Sequence, residues 1–274
     1  MVIYGRNFYL VGGANFMLKV IACDLDGIFT DLFLYQIWMV YDYYVSKGLT
    51  VPEIKNPEEY DITKVFGIPK NERNAIWLEY YKPYCQRCMA HEQSFETAKE
   101  WQGEGRKVPL VTGRAFATLP IIKYFIRRWV NEWLELYKFK PDGIYWVPEK
   151  DSGIYKAKVC HDLKADIIID DKATNFDYLL DVCPVATLNT PWNIDYYAQD
   201  KPNDLYRANN WLQIKEIIQT LDINNPYEIA GLLLNNRVLV EEYKRMFKDI
   251  EYPPKSLLIG KEDIKILKKL NKAA

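Results

Sequence analysis

Three apolar stretches of the chain end in side chains that can bind a metal ion or a phosphate group. Asp24-Leu25-Asp26-Gly27 follows the run LKVIAC, Thr112-Gly113-Arg114 follows VPLV, and Asp170-Asp171 follows DIII. In a doubly wound sheet of parallel strands, ligands bind beyond the carboxyl ends of the strands, near the point where the strand order reverses. If the three stretches are such strands, their end residues meet there.

The acidic residues in these stretches suggest a cation site. Asp24 and Asp26 lie two residues apart, and Asp170 and Asp171 are adjacent. Hard carboxylate oxygens of this kind suit Mg²⁺, and without a cation the charges would repel one another. Asp24 and Asp26 alone are also typical of a simple turn. The agreement of three strand ends favours the metal site.

The remaining polar groups at these strand ends suit a phosphate. A threonine hydroxyl at Thr112, the backbone N–H groups at Gly113 and in the Asp24 turn, and a nearby lysine can all donate to phosphate oxygens. The sequence therefore predicts a site where a divalent cation and a phosphate meet.

The sheet that would position these residues is predicted from short apolar runs that alternate with helical patterns. Because the runs are apolar throughout rather than at every second residue, we expect an α/β, doubly wound parallel sheet that is buried on both faces. The predicted strands are 18–23, 108–111, 143–147, 166–169 and 184–188, and the predicted helices are 94–104, 117–137, 156–163 and 175–182.

Residues 32–93 interrupt this alternation and are predicted to form a mostly helical cap, inserted after the first strand. The catalytic core would then comprise residues 17–31 and 94–220. Met17 is a second candidate start, so residues 1–16 are interpreted as an N-terminal extension. Residues 221–274 are interpreted as a helical C-terminal extension. Helical runs are predicted within it at 227–234, 238–247 and 261–270, and a further run at 214–221 directly precedes it. These runs could pack on the domain or on a second copy in a homodimer.

The motifs resemble those of a known family. DLDG at 24–27, VTGR at 111–114, a lysine ahead of the fourth strand and IIIDD at 167–171 resemble the four motifs of haloacid dehalogenase-like (HAD) phosphatases. The long gap between Asp24 and Thr112 resembles members with a cap after the first motif. Looser similarity at 96–114, 156–175 and 188–193 points to the 5′(3′)-deoxyribonucleotidase and cytosolic 5′-nucleotidase branch. The resemblance covers about residues 17–220 and implies a Rossmann-like core, Mg²⁺ and a small phosphomonoester substrate.

The resemblance assigns a role to each acidic residue. Asp24 would attack phosphorus and form an aspartyl-phosphate, and Asp26 would protonate the leaving alkoxide and later deprotonate the attacking water. An acid at position 26 implies a phosphatase, because a halide leaving group needs no proton. Mg²⁺ would be held by Asp24, the backbone carbonyl of Asp26 and Asp171, with Asp170 acting indirectly or through water.

The resemblance also assigns the residues that hold the phosphoryl group. Thr112 and Lys156 would bind its oxygens as charge builds up in the transition state, although Lys158 is a rival for the lysine. Gly113 and Arg114 would contact the substrate.

Composition and charge restrict the class of partner. The formal net charge of −1 gives no electrostatic case for long nucleic acid or an acidic membrane surface. No apolar stretch approaches the roughly 20 residues that span a bilayer, and the first residues lack the pattern of a signal peptide. We therefore expect a cytoplasmic protein without a membrane partner.

Cysteine and aromatic residues each have two interpretations. The odd number of five cysteines disfavours a disulfide framework, and Cys85 and Cys88 with His91 lack a fourth zinc ligand, so buried thiols are expected. The chain has 21 Tyr and 8 Trp. The aromatic residues of the predicted cap could stack on a nucleobase, but ordinary packing is the simpler interpretation; these are Trp38, Tyr41, Tyr44 and Trp77.

The leading functional hypothesis is hydrolysis of a nucleoside or deoxynucleoside monophosphate. A second hypothesis keeps the chemistry but takes a sugar phosphate or a polynucleotide 3′-phosphate as substrate. A third, from another class, is a binding or regulatory protein that has kept the fold and lost turnover.

Overall fold

The computed structural model describes residues 17–199, 204–248 and 260. The predicted N-terminal extension (1–16) and the helical run predicted over 261–270 lie outside these residues. Among the described helices, none combines the length and the apolar character needed to span a membrane.

The centre of the fold is a six-stranded sheet in which every pair of neighbouring strands is parallel. The strand order is β3-β2-β1-β4-β5-β6, so the order reverses between β1 and β4. This confirms the predicted doubly wound α/β fold. The strands are β1 (Ile21–Cys23), β2 (Leu110–Thr112), β3 (Ile144–Trp146), β4 (Ile167–Ile169), β5 (Val185–Leu188) and β6 (Leu205–Ala208).

Helices cover both faces of this sheet and also form the long connection after β1. Most of the predicted helices are confirmed with shifts of a few residues at their ends, the largest at the start of α5. The helices are α1 (Leu32–Ser46), α2 (Ile62–Phe66), α3 (Lys70–Arg87), α4 (Ser94–Gly103), α5 (Ile122–Leu136), α6 (Ser152–Leu163), α7 (Ala173–Leu180), α8 (Trp211–Ile223) and α9 (Pro226–Lys248), with a 3-10 helix at Ile194–Gln199.

Two apolar cores lie on opposite faces of the sheet. Ala22 and Ile168 belong to the core that includes residues of α6 and α7. Their neighbours Ile21 and Ile167 belong to the larger core that contains α4, α5 and α8. Successive side chains of a strand point to opposite faces, so a strand with a core on each side must be apolar at every position, as these strands are.

Helices α1, α2 and α3 occupy the stretch that was predicted as a helical insertion. The insertion leaves the sheet after Thr30, and its returning chain passes close by, because Thr30 forms an isolated backbone bridge with Ala90. Asp31 begins α1 by accepting a hydrogen bond from the backbone N–H of Leu34 at 2.9 Å, which satisfies one of the unpaired donors of a helix start. Both ends of the insertion therefore lie beside the end of β1.

The described part of the C-terminal region packs against the same chain. The sequence pattern suggested two helical runs there, and the structure has one continuous helix, α9. The buried side chain of Asn236 accepts a hydrogen bond from the backbone N–H of Arg207 at 2.9 Å and donates one to the carbonyl of Leu205 at 2.7 Å. α9 is thereby attached to the outermost strand, β6.

Candidate active site

The first two acidic positions are placed by the backbone of neighbouring strands. β1 and β4 pair with Cys23 opposite Ile169, and the N–H of Asp24 donates to the carbonyl of Ile169 at 2.8 Å. Asp24 and Asp170 are the next residues of the two strands. Their separation is therefore set by the spacing of the strands, which is close to 4.8 Å.

Lys156 connects these two carboxylates. Its ammonium nitrogen lies 2.6 Å from Oδ2 of Asp24 and 2.6 Å from Oδ2 of Asp170. The lysine comes from α6, and its side chain is only 2% exposed. Lys158, the rival candidate, is exposed on the same helix. The structure thus brings Lys156 into the cluster and leaves Lys158 outside it.

Asp170 is surrounded by donors from the protein itself. Besides Lys156, its carboxylate accepts hydrogen bonds from the backbone N–H of Lys172 at 2.9 Å and from the side-chain amide of Asn175 at 3.0 and 3.2 Å. With both oxygens engaged in this way, Asp170 is suited to holding Lys156 in place; its expected indirect role at a metal stays a prediction.

Asp171 completes a group of three buried carboxylates with Asp24 and Asp170, in which one ligand atom from each residue lies within 4.8 Å of the others. Its Oδ2 accepts a hydrogen bond from the indole N–H of Trp192 at 3.0 Å, and its backbone carbonyl accepts one from the side chain of Asn193 at 2.8 Å. Several protein donors therefore fix the position of this strand end.

Gly27 is required by the close approach of Asp171. Its φ of +78° lies in the region that favours glycine, and a Cβ atom at this position would lie 2.0 Å from Oδ2 of Asp171. The glycine thus lets the turn after Asp24 run against the carboxylate of the neighbouring strand.

The cluster carries more negative than positive charge. Burial raises the pKa of Asp24 to about 7, with Lys156 opposing the shift and Asp170 and Asp26 adding to it. Burial also raises the pKa of Asp171 well above its ordinary range, and Asp170 and Asp24 add to that shift. Burial alone would lower the pKa of Lys156, but Asp170 and Asp24 outweigh it, so the net pKa is raised and the ammonium keeps its charge.

A divalent cation fits this arrangement. Three buried carboxylates share a single ammonium group, and a cation between Asp24 and Asp171 would offset the repulsion that raises their pKa values. The carboxylate of Asp26 is not part of the group formed by Asp24, Asp170 and Asp171. The sequence predicts only its backbone carbonyl as a metal ligand, and that role stays a prediction.

Thr112 ends β2 beside this cluster, and its side chain is fully buried. Its hydroxyl has no hydrogen-bond partner among the described residues. A buried hydroxyl without a hydrogen-bond partner costs free energy unless a ligand or water satisfies it. A phosphate oxygen of a bound substrate could be the acceptor for the Thr112 hydroxyl. Gly113 follows and packs closely on α6, since a Cβ there would lie 2.9 Å from Cβ of Ser152.

The carboxylate of Asp26 points to different partners. Nε of Arg114 donates to Oδ2 of Asp26 at 3.0 Å, and a second nitrogen of the guanidinium contacts Oδ1. Tyr84 of α3 donates to Oδ1 at 2.7 Å. Burial raises the pKa of Tyr84 well above its ordinary value, so this hydroxyl keeps its proton and acts as a donor. Arg114, which was expected to contact the substrate, is thus paired with Asp26.

A cavity of about 490 Å³ opens between the helical insertion and the ends of the strands. Asp26, Gly113 and Arg114 line it on the side of the sheet. Five aromatic rings contribute to its walls: Tyr60, Trp77, Tyr81, Tyr84 and Phe116. The lining also includes four further charged side chains: Asp61, Arg73, Glu149 and Lys172.

Of the four aromatic residues proposed as stacking surfaces, one lines this cavity. Trp77 does, whereas Trp38 and Tyr44 are buried in the larger core. Tyr41 is half-buried and does not line the cavity. For these three residues the packing interpretation fits the structure.

The weaker metal-binding signal does not assemble into a site. Cys85 and Cys88 are free, buried thiols, as expected. Within the described part of the chain, the group of acidic, histidine and cysteine ligands that could hold a metal consists of aspartates alone.

Several residues at the site were not singled out from the sequence. Trp192 and Asn193 belong to the segment of similarity at 188–193, and Asn175 ends the segment at 156–175, but the sequence pattern gives none of them a role. Tyr84 had no signal at all, because its role depends on how α3 folds back over the sheet.

No protein-family model and no curated protein sequence matches the chain. Solved structures of similar shape include a haloacid dehalogenase-like family hydrolase from Streptococcus pneumoniae, with 16% identity and a TM-score of 0.47 over 72% of this chain and 96% of the other. A HAD-superfamily hydrolase of subfamily IA from Geobacter sulfurreducens has 12% identity and a TM-score of 0.48 over 76% and 100% of the two chains. A beta-phosphoglucomutase from Clostridium difficile has 15% identity and a TM-score of 0.46 over 76% and 98%. These values are too low to transfer a function to this chain.

Proposed function

We propose that the chain is a Mg²⁺-dependent phosphatase of the HAD-like superfamily that acts on a small phosphomonoester through an aspartyl-phosphate at Asp24. The observation that carries this proposal is the buried cluster at the strand ends. Lys156 lies 2.6 Å from both Asp24 and Asp170. The hydroxyl of Thr112, which has no hydrogen-bond partner in the described part of the chain, lies at the end of the next strand, β2. Simple turn residues would not require a buried lysine between them.

In the first step an oxygen of Asp24 attacks phosphorus, and the bond from phosphorus to the leaving oxygen breaks. Asp26 gives its proton to that oxygen, so that an alcohol leaves. Lys156 and Thr112 donate to the phosphoryl oxygens as negative charge grows on them. Asp24 and Asp171 would hold Mg²⁺, and the ion would supply positive charge that offsets the charge on the transferring group.

In the second step Asp26 removes a proton from a water molecule, which attacks the phosphorus of the aspartyl-phosphate. The bond between phosphorus and the Asp24 oxygen breaks, inorganic phosphate is released and the carboxylate is restored. The proton donor of the first step is the neutral form of Asp26. The phosphate of the substrate would offer the guanidinium of Arg114 a second anion besides Asp26.

The cavity next to Asp26 supports a substrate with a ring-shaped leaving group. Its volume of about 490 Å³ is in the range of small-molecule sites. The rings of Trp77 and Tyr81 line it on the side of the insertion, and aromatic faces of this kind bind planar rings. We therefore propose a nucleoside or deoxynucleoside monophosphate as the substrate. The polar side chains in the same lining, such as Asp61 and Arg73, keep a sugar phosphate as the second candidate.

The test is the release of inorganic phosphate from a panel of monoesters, with Mg²⁺ and with a chelator. The panel contains nucleoside 5′- and 3′-monophosphates, sugar phosphates and an oligonucleotide with a 3′-phosphate. We expect Mg²⁺-dependent turnover that is fastest with the mononucleotides. Fastest turnover of a sugar phosphate would keep the mechanism and change the substrate. Binding of nucleotides without any release of phosphate would overturn the mechanism and favour a binding protein.

A further inference from the structure

Two side chains from separate parts of the chain fix the carboxylate of Asp26. Arg114, in the loop after β2, pairs with both oxygens, and Tyr84, on helix α3 of the insertion, donates to Oδ1 at 2.7 Å. Neither belongs to the turn that carries Asp26. The direction of this carboxylate is therefore decided by groups outside its own segment.

Tyr84 is itself held in one direction. Its ring is buried, and its hydroxyl lies 2.8 Å from the hydroxyl of Thr30. Because the only hydroxyl proton of Tyr84 points to Asp26, Thr30 is the donor in this second bond. The guanidinium of Arg114 lies over the same ring, 4.9 Å from its centre. These contacts keep the ring of Tyr84 and its hydroxyl oxygen next to Asp26.

Thr30 links this chain of hydrogen bonds to the place where the insertion joins the sheet. Its backbone forms isolated bridges with Asp26 on one side and with Ala90 on the other. Residues 26, 30, 84 and 90 thus form one connected group at the base of the insertion. A shift of α3 relative to the strands would move the hydroxyl that holds Asp26.

Packing of the ring alone does not explain why the hydroxyl of Tyr84 points to Asp26. Tyr35, a buried tyrosine of α1, packs against Tyr84 with their ring centres 4.7 Å apart and their planes tilted by 40°. Its own hydroxyl donates to the backbone carbonyl of Tyr80 at 2.8 Å, within the insertion. Both rings fill the same core, but only the hydroxyl of Tyr84 is directed at a residue of the site.

We propose that Tyr84 is a positioning residue through which the helical insertion sets the position from which Asp26 delivers its proton to the leaving group. This inference rests on the proposed phosphatase activity. Proton delivery matters most when the leaving group is a poor one, such as an alkoxide, and least when it is a good one, such as p-nitrophenolate. Loss of the Tyr84 hydroxyl should therefore slow the two kinds of ester to different extents.

The experiment compares Tyr84→Phe with the wild type on two substrates in the presence of Mg²⁺. One is the alkyl phosphate that the wild type hydrolyses fastest in the panel, and the other is p-nitrophenyl phosphate. We expect kcat for the alkyl ester to fall roughly tenfold or more, and kcat for p-nitrophenyl phosphate to fall less than about twofold, with little change in KM. Tyr35→Phe, the matched control, should leave the ratio of the two rates unchanged.

The ratio of the two rates is independent of how much of the variant is folded, so a loss of stability does not confuse the result. An equal fall on both substrates, or no fall on either, would overturn the positioning role while leaving the phosphatase intact. If the wild type releases phosphate from neither ester, the proposed function fails and this inference fails with it.

Discussion

A Cβ atom at Gly27 would lie 2.0 Å from the Oδ2 atom of Asp171. The turn after the proposed nucleophile and the end of the neighbouring strand are thus in contact through a position that only hydrogen can occupy. We expect Gly27→Ala to move the Asp171 carboxylate and to lower Mg²⁺-dependent activity by at least about a hundredfold. It should also lower the free energy of unfolding by about 2–4 kcal/mol, from backbone strain and from the clash together.

Gly105→Ala is the matched control for this substitution. Gly105 has a φ of +84°, but nothing lies within 4 Å of a Cβ built there. The free energy of unfolding of this variant should therefore fall by about 1–2 kcal/mol, from backbone strain at the positive φ alone, and its activity should not change. Urea unfolding and phosphate release measure the two effects. Equal results for the two alanine variants would contradict the close approach of Asp171.

Lys156→Met should remove the single cation from the three buried carboxylates. We expect the free energy of unfolding to fall by about 3–5 kcal/mol in the presence of a chelator, because breaking a buried ion pair leaves an uncompensated charge. Activity should fall by more than about a hundredfold. Lys158→Met changes an exposed lysine on the same helix, and it should alter the free energy of unfolding by less than about 0.5 kcal/mol. Comparable losses in both variants would mean that the wrong lysine has been assigned.

Asp24→Asn should abolish turnover and leave the fold intact. The amide has nearly the shape of the carboxylate but cannot form the aspartyl-phosphate, so we expect kcat to fall by at least about a thousandfold. The variant removes one of three mutually repelling charges, so its thermal unfolding midpoint in a chelator should be no lower than that of the wild type. Asp162→Asn, at an exposed position of α6, is the control. Wild-type activity in Asp24→Asn would refute the proposed mechanism.

The raised pKa of Asp24 predicts how stability depends on pH in the presence of a chelator. Burial takes the pKa of this group from its ordinary value of 3.8 to about 7. Between these values the folded state binds more protons than the unfolded state, so the free energy of unfolding falls as the pH rises from about 4 to about 7. Asp171 has a pKa shifted in the same direction. Urea unfolding at pH 5 and pH 8 should therefore show the chelated protein to be less stable at pH 8.

Mg²⁺ should counteract this difference in stability between pH 5 and pH 8. The ion binds the deprotonated carboxylates, so its stabilising effect should be larger at pH 8 than at pH 5. Asp24→Asn should show a weaker dependence on pH and on Mg²⁺. A chelated protein that is equally stable at both pH values would mean that the three carboxylates do not form the group described above.

Asn236→Ala should show whether α9 unfolds together with the sheet. The buried side chain of Asn236 makes two hydrogen bonds to β6, and its loss leaves backbone groups of β6 unpaired. We expect a loss of about 1–3 kcal/mol in the free energy of unfolding. The neighbouring Asn235 is exposed, and Asn235→Ala should cost less than about 0.5 kcal/mol. A biphasic urea transition that is unaffected by Asn236→Ala would instead indicate that α9 is a separate unit.

The sequence was sufficient for the parts of the fold that depend on local pattern. Strands that are apolar at every position, such as III at 167–169, indicated a sheet buried on both faces, and the aspartates that follow them indicated the polar groups at its end. β6 was not predicted, because Leu205–Ala208 contains the charged residue Arg207, whose guanidinium is buried in hydrogen bonds with Asn189 and Asn193. Charged residues in short strands look like loop residues until their partners are known.

The contacts across the insertion could not be predicted in the same way. The choice between Lys156 and Lys158 depended on the rotation of α6, which only the packing against β4 and α7 decides. Asp26 pairs with Arg114, which is 88 positions away in the sequence, and with Tyr84, which is 58 positions away. No local pattern encodes such distances. The division into a core, a cap and a C-terminal extension stays a prediction of the sequence.

Backbone hydrogen bonding between β1 and β4 holds Asp24 and Asp170 side by side. The spacing of these two carboxylates is thus set by backbone hydrogen bonds of the central sheet and does not depend on any loop. Exchanging the helices of the insertion would change which molecules reach the site, while the Asp24 carboxylate, the proposed nucleophile, and Lys156 would keep their relative positions. Selectivity and reactivity could therefore be engineered separately in this architecture. Tyr84 is the exception, because it belongs to the insertion and also contacts Asp26.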